Sequence, residues 1–160
     1  MSLEQGFKDA LACWASGVCV VTTKTGEGLM YGLTVSSFSS LSLDPPLILV
    51  CIDNRNRFPA MVEESGGFAV SLLHTGQEAA SNYFARSGRE PSLGFQEIDG
   101  QYTDMGQPVV AGSMAWLACT LHKAIPAGDH TIVVGQVVET FAGEGDPLLY
   151  YRRGYRTVTG

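Results

Sequence analysis

A mainly β chain, folded as a closed or split antiparallel barrel with a few flanking helices, is the fold class that the sequence predicts. Short β-branched or apolar runs recur from Val18 to Tyr155. Turn residues separate them repeatedly, with 19 glycines and 7 prolines among 160 residues. Only a few segments carry helical spacing, so strands returning on strands fit better than an alternating parallel α/β arrangement. The length favours one domain spanning 1–160, because a second hydrophobic core would be cramped.

The elements follow in order. Leu3, Phe7, Ala10, Leu11 and Trp14 recur at spacings of three and four, Ser2 and Gln5 have the spacing of a capping box, and Gly17 is the expected stop of a helix. From Val18 to Thr23 the run is β-branched, and Thr25-Gly26-Glu27-Gly28 turns it into a second segment beginning at Leu29, a hairpin. Thr34 to Leu43 leads through Asp44-Pro45-Pro46 into Leu47 to Ile52, whose unbroken apolar character predicts a strand buried on both faces. A short helix is expected from Phe58 to Ser65, ended by Gly66-Gly67, then a strand from Phe68 to Leu73 and helical composition from Gln77 to Arg86. Ser87 to Pro108 mixes glycine, proline and polar residues, and a loop of that length inside a compact domain is usually functional or interfacial. Ser113 to Lys123 alternates as a two-faced strand, Ala127-Gly128-Asp129 turns the chain, and His130 to Phe141 returns. Gly135 inside that strand marks close approach by a ligand or another backbone.

Composition excludes several classes of function. Hydrophobic residues at 45% and charged residues at 16% give a foldable core. A net charge of −6 disfavours non-specific nucleic-acid binding while leaving room for a local basic pocket around one small anion. Cys13, Cys19, Cys51 and Cys119 form no C-x-x-C pair, so buried free thiols are expected and a metal site is not. Met1 to Asp9 lacks the basic and apolar blocks of a signal peptide, and the run from Pro45 to Ile52 is far short of the roughly 20 residues that span a bilayer, so a cytoplasmic protein without membrane segments is expected. The glycine fingerprints of Rossmann and P-loop sites, the nucleophile elbow and the H-E-x-x-H zinc motif are all missing.

Four constellations remain. Thr34 to Ser42 places six hydroxyls in nine positions, which suits hydrogen bonding to a heteroaromatic edge or a phosphate and equally suits a solvated strand face. Asp53-Asn54-Arg55-Asn56-Arg57 sets two cations after a strand, either a phosphate grip or a solvated turn. His130 follows a turn, where it can donate a hydrogen bond or titrate near neutral pH, although most single histidines do neither for a ligand. Near the C-terminus Tyr150, Tyr151, Arg152, Arg153 and Tyr155 can stack on a planar ligand or cover a core strand.

Taken together, Gly17-Val18 with Val20 to Thr23, Gly32 to Phe38, Ser42 to Leu47, Phe68 to Leu73, Gly128-Asp129-His130 and Pro147 to Tyr150 resemble, in order, the flavin reductase-like family. The resemblance covers nearly the whole chain. It implies an FMN-binding split barrel of Greek-key type, a homodimer, and NAD(P)H-dependent reduction of FMN or FAD, with reduced flavin passed to a partner monooxygenase. By the same resemblance Thr34, Val35, Ser36 and Ser37 line the flavin ring and ribityl chain, and Cys51 and Asp53 belong to the next flavin-contacting segment. Near the phosphate the family has a Ser and then a Thr where this chain has Asn56 and Phe58, and Arg57 compensates electrostatically. Ala85 and Arg89 fall where further flavin or adenylate contacts are made. His130 stands near the nicotinamide as the one residue with a catalytic expectation, and Tyr150, Tyr151 and Arg152 belong to the nicotinamide side. Hydride passes between cofactors, so the protein supplies proximity and orientation and no nucleophile is needed. Reduction of another acceptor, ferric or cobalamin in type, and a non-catalytic FMN-binding dimeric module are the alternatives.

Overall fold

The computed structural model describes residues 1–88 and 101–158. Helix α1 (Leu3–Ala12) starts where Ser2 caps it, Ser2 Oγ accepting from the Gln5 N–H at 3.2 Å. The second half of the expected capping box is not made, because Gln5 Nε2 donates to Asp9 Oδ1 one turn on. The helix closes at Cys13, four residues before Gly17, which lies instead in strand β1 (Ser16–Gly17). No residue of α1 is buried, and Leu3, Phe7 and Leu11, with Trp14 just beyond, stand exposed on its apolar stripe.

The main sheet is antiparallel and built from β2 (Cys19–Lys24), β3 (Met30–Val35), β4 (Phe38–Leu43), β5 (Pro46–Asp53), β6 (Gly67–Leu72), β9 (Ala115–Ala127) and β10 (His130–Ala142). Its order is β3-β2-β6-β9-β10-β5-β4. The two edges, β3 and β4, are consecutive in the chain and joined only by Ser36 and Ser37, so the sheet curls back on itself without closing its hydrogen-bond ladder. The expected split barrel is therefore observed. Strands β11 (Leu149–Tyr151) and β12 (Gly154–Arg156) pair with β1 in a small outer sheet. Helix α2 (Phe58–Ser65) ends where Gly66 turns left-handed at φ +74°, as the Gly66-Gly67 pair predicts, and α3 (Glu78–Ala85) falls within the expected helical segment.

Alternating residues fill the barrel, including Val21, Val50, Ile52, Phe68, Val70 and Val133, with Phe58 and Val62 of α2 packed against them. A second cluster of Val18, Val20, Leu73, Phe84 and Leu148 lies beneath α3. Strand β5 departs from expectation, because only Ile48, Val50 and Ile52 are buried while Leu47, Leu49 and Cys51 are half-covered. Its neighbour β4 is an edge, and β5 alternates in burial as a strand with one covered face does. Two of the four thiols, Cys19 and Cys119, are buried as expected, whereas Cys13 is exposed and Cys51 intermediate.

Of the expected 87–108 loop, residues 89–100 lie outside those described, and beyond them β7 (Gln101–Tyr102) pairs with β8 (Pro108–Val109) in a small hairpin. Glu139 of β10 holds its turn, accepting from the Asp104 N–H at 2.9 Å and the Met105 N–H at 2.8 Å. Among the described residues no helix is long and apolar enough to cross a membrane.

Candidate functional site

Strand β5 ends at Asp53, and the chain turns there because Asp53 Oδ1 accepts the Arg55 N–H at 2.8 Å while the Asp53 carbonyl accepts from Asn56 at 2.9 Å. The Arg55 side chain folds back on the same carboxylate, with Nε 3.0 Å and Nη2 2.5 Å from Oδ2. These hydrogen bonds from Arg55 hold the Asp53 carboxyl down at about 2. The turn is tied to the β9–β10 hairpin, since the Asn54 N–H donates to the Asp129 carbonyl at 2.9 Å and Thr131 Oγ1 donates to Asn54 Oδ1 at 2.7 Å. In the β5–β10 register His130 stands opposite Asp53. Its Nδ1 lies 2.6 Å from Asp129 Oδ1, and its side chain is partly exposed.

A cleft of about 630 Å³ opens between this turn, β3 and the end of α3. Tyr31, Leu33, Phe84 and Ala85 form its apolar wall, and Asp53, Arg55, Arg57 and Arg86 its charged rim. The wall depends on a missing side chain, because a Cβ on Gly32 would lie 2.9 Å from the Phe84 ring. Only glycine lets α3 sit this close to β3. Thr34 locks the two together by donating to the Ser81 carbonyl at 2.6 Å.

The cleft continues into two further hollows. A second, of about 430 Å³, shares Thr34 and Ala85 with the first and adds Val35, Ser36, Tyr150 and Tyr155. A third, of about 640 Å³, shares Ser36 and Tyr150 with the second and adds Trp14, Ser37, Tyr151 and Arg152. Tyr155 closes the middle of this trough, its hydroxyl 2.7 Å from Ser81 Oγ and 2.9 Å from Asn82 Oδ1. At the far end Arg152 and Arg153 take left-handed φ values of 47° and 62° in the β11–β12 turn. That turn secures α1, with the Arg152 N–H donating to the Ala12 carbonyl at 2.9 Å and Arg153 Nη2 to Asp9 Oδ1 at 2.7 Å. Arg152 Nε also donates to the Tyr151 hydroxyl at 3.0 Å.

The expected residues thus divide along the trough. Thr34, Asp53, Asn56, Arg57 and Ala85 meet in the first cleft, Val35, Ser36 and Tyr150 border the second, and Ser37, Tyr151 and Arg152 border the third. Three hydroxyls of the Thr34 to Ser42 run are already engaged: Thr34 with Ser81, Ser37, whose Oγ donates to the Cys51 carbonyl at 2.8 Å and accepts the Cys51 N–H at 3.2 Å, and Ser39, whose Oγ donates to the Ser40 carbonyl at 2.9 Å. Cys51 and His130 border none of the three hollows. Phe58 is a correction, since its side chain is fully buried and meets Phe68 edge to face at 6.2 Å. An aromatic ring entering α2 finds the barrel interior, and no polar group remains there to face a phosphate. Arg89 lies outside the described residues. Tyr31, Phe84 and Arg86 were missed, because only the β3–α3 packing brings them to the cleft and no spacing in the chain signals it.

An apolar wall beside a cationic rim suits a flat ring with an anionic tail, and the site offers orientation in place of a nucleophile. Comparison with known proteins agrees in kind. The family described as flavin reductase like domain matches residues 11–159. The chain is 45% identical over 157 residues to the reductase component of 4-hydroxyphenylacetate 3-monooxygenase from Thermus thermophilus, covering 98% of this chain and 97% of that protein. It is 37% identical to an NADH-dependent flavin reductase of a Rhodococcus species, covering 94% and 84%. Among solved structures, a Streptomyces globisporus NADH:FAD oxidoreductase in complex with NAD and FAD fragments superposes with a TM-score of 0.90 at 30% identity, covering 98% and 93%.

Proposed function

The chain belongs to the flavin reductase-like family, and on that premise we propose that it is an NAD(P)H:flavin oxidoreductase acting on FMN or FAD. The observation that carries this reading is the joined trough, apolar along Leu33, Phe84 and Ala85 and cationic at Arg57 and Arg86, in a chain whose net charge is −6. These residues fit a flavin, since the wall accepts a planar ring and the rim faces the end where a phosphate ester would lie. When bound, the flavin supplies the hydride acceptor, and the chain's own groups bind and orient.

Each residue has a part in that arrangement. Thr34 fixes β3 to α3 and so sets the width of the ring slot, Ser36 keeps an uncommitted hydroxyl at the junction of two hollows, and Asn56 and Arg57 meet the phosphate. Tyr150, Tyr151 and Arg152 border the side on which the nicotinamide of NADH or NADPH enters. His130 stands at the other end of the trough, opposite Asp53 and outside all three hollows, and it orients a nicotinamide only where the dinucleotide lies across the first cleft. With Nδ1 engaged by Asp129, Nε2 is the nitrogen left for that contact. Hydride transfer needs no general base, so His130 positions and does not transfer a proton.

The chain acts as one domain over 1–160 and passes reduced flavin by diffusion to a partner monooxygenase, in keeping with the reductase components it is similar to. A second copy covers the apolar stripe of α1, giving a homodimer, and the free thiols suit a cytoplasmic setting. The test is oxidation of NADH and NADPH by the purified protein with FMN or FAD added in turn, after its visible spectrum is recorded. Turnover dependent on added flavin supports the reading. A yellow protein that oxidises neither nucleotide overturns it in favour of a binding module, and faster reduction of a ferric or cobalamin acceptor than of free flavin points to that acceptor instead.

A further inference from the structure

The geometry points to Asp53 as a specificity-determining residue that weakens the grip on phosphate: by taking up the Arg55 guanidinium it lowers the positive charge the cleft presents, so that flavin is held as an exchangeable ligand. The inference rests on the flavin reductase reading and deepens it. Arg55 lines the cleft with its side chain 90% exposed, yet its described side-chain hydrogen bonds all go to Asp53. The Asp53 side chain is only 22% exposed, fixed at the end of β5 opposite His130. The carboxylate is the built-in partner and the arginine comes to it. Two residues on, Arg57 lines the same cleft, and among the described residues no carboxylate lies within 4 Å of it.

The chain therefore sets Arg55 and Arg57 two residues apart on a rim that also carries Arg86, and cancels the first of them. A site shaped for the tightest hold on a phosphate dianion would leave both guanidiniums free and would place no carboxylate beside them. Asp53 adds repulsion toward a phosphate while occupying a forked donor that would otherwise meet it. The effect is local, because salt at physiological strength screens exposed charges beyond roughly 8 Å. A protein that must release reduced flavin to another enzyme gains from this arrangement, since affinity differences among closely related complexes lie mainly in the dissociation rate.

The experiment measures dissociation constants for FMN and for riboflavin, which lacks the phosphate, by quenching of flavin fluorescence without nicotinamide at low and high salt. The full chain is compared with Asp53→Asn, Asp53→Glu, Arg55→Gln and the Asp53→Asn/Arg55→Gln double variant. Asparagine keeps an Oδ1 to accept the Arg55 N–H, so the turn is preserved. Asp53→Asn should tighten FMN by roughly threefold at low salt and leave riboflavin unchanged. Arg55→Gln should weaken FMN, Asp53→Glu should stay near wild type, and the double variant should lose the gain. An unchanged or smaller preference for FMN over riboflavin in Asp53→Asn, or a gain that persists without Arg55, overturns the inference. Should Asp53→Asn fail to fold, an Arg55→Gln variant that binds FMN as well as wild type overturns it equally. Binding of neither flavin to the wild-type chain would instead bring down the underlying reading, and this inference with it.

Discussion

The ring of Phe68 occupies the space that a side chain on Gly135 would need: a Cβ there would lie 2.5 Å from Cζ and 2.7 Å from Cε1, with Cys119 Cβ also at 2.7 Å. Three neighbouring strands, β6, β9 and β10, can pack at this point only because one position carries no side chain.

Gly135→Ala should therefore destabilise the fold. Replacing a strand glycine relieves up to about 1 kcal/mol of unfolded-chain entropy. Overpacking a rigid core costs about 1–3 kcal/mol, and both the Phe68 ring and the Cys119 Cβ are fully buried, so the cost wins. Urea unfolding should show a lower midpoint at an unchanged slope, and a midpoint at or above wild type would refute the packing account.

That glycine shows how far the sequence could be read. An interior strand glycine signals close approach, but whether by ligand or by protein depends on which strands become neighbours, and β6 joins β10 only through β9. The split barrel was legible because turn residues and β-branched runs are local signals. The hydroxyl run near Ser36 and the cations at Arg55 and Arg57 were legible for the same reason. The opposing wall of the cleft, Tyr31 and Phe84 with Arg86 beyond, was not, since it exists only after α3 closes on Gly32. Phe58 misled because alignment with a family position carries no information about which way a ring turns.

His130→Ala should raise the KM for the nicotinamide substrate more than it weakens flavin binding. Losing one hydrogen bond to a ligand costs roughly tenfold in affinity. With Nδ1 held by Asp129, the histidine acts through orientation, so kcat at saturating nucleotide should fall less than kcat/KM. Steady-state kinetics beside flavin titration decides the point, and equal losses in both would place His130 at the flavin instead.

Acid should leave the Asp53 turn intact to unusually low pH. The Arg55 hydrogen bonds depress the folded pKa to about 2, against roughly 3.9 for a free aspartate. A depressed folded pKa means that the contribution is fully present above the unfolded value and is lost as pH falls through about 4 toward about 2. Carboxyl NMR titration should follow Asp53 to that low midpoint, and Arg55→Gln should move the midpoint back up.

Thiol labelling should separate Cys13 from Cys19 and Cys119. Burial raises Cys19 and Cys119 to about 12, leaving almost no thiolate at neutral pH. Cys13 is exposed beside the Arg152 turn. Under native conditions a disulfide reagent should react first at Cys13, and Cys13→Ser should remove that phase. Cys19 and Cys119 should become reactive only on unfolding, and rapid native labelling of either would contradict their burial.

The stripe of α1 gives the last expectation. Phe7 and Leu11 are more than half exposed, and the helix is tied to the body by the Arg152 to Ala12 and Arg153 to Asp9 hydrogen bonds. Burying a Leu or Phe side chain is worth about 1.5–3 kcal/mol, which these residues forgo in a lone chain and recover only if another surface covers them. A Phe7→Ser/Leu11→Ser variant should therefore barely change unfolding of the isolated chain yet shift sedimentation from dimer toward monomer as protein concentration falls. A dimer that survives both substitutions with unchanged affinity would place the contact elsewhere, and the exposed edge strand β4, with Leu41 and Leu43 facing solvent, would be the next surface to change.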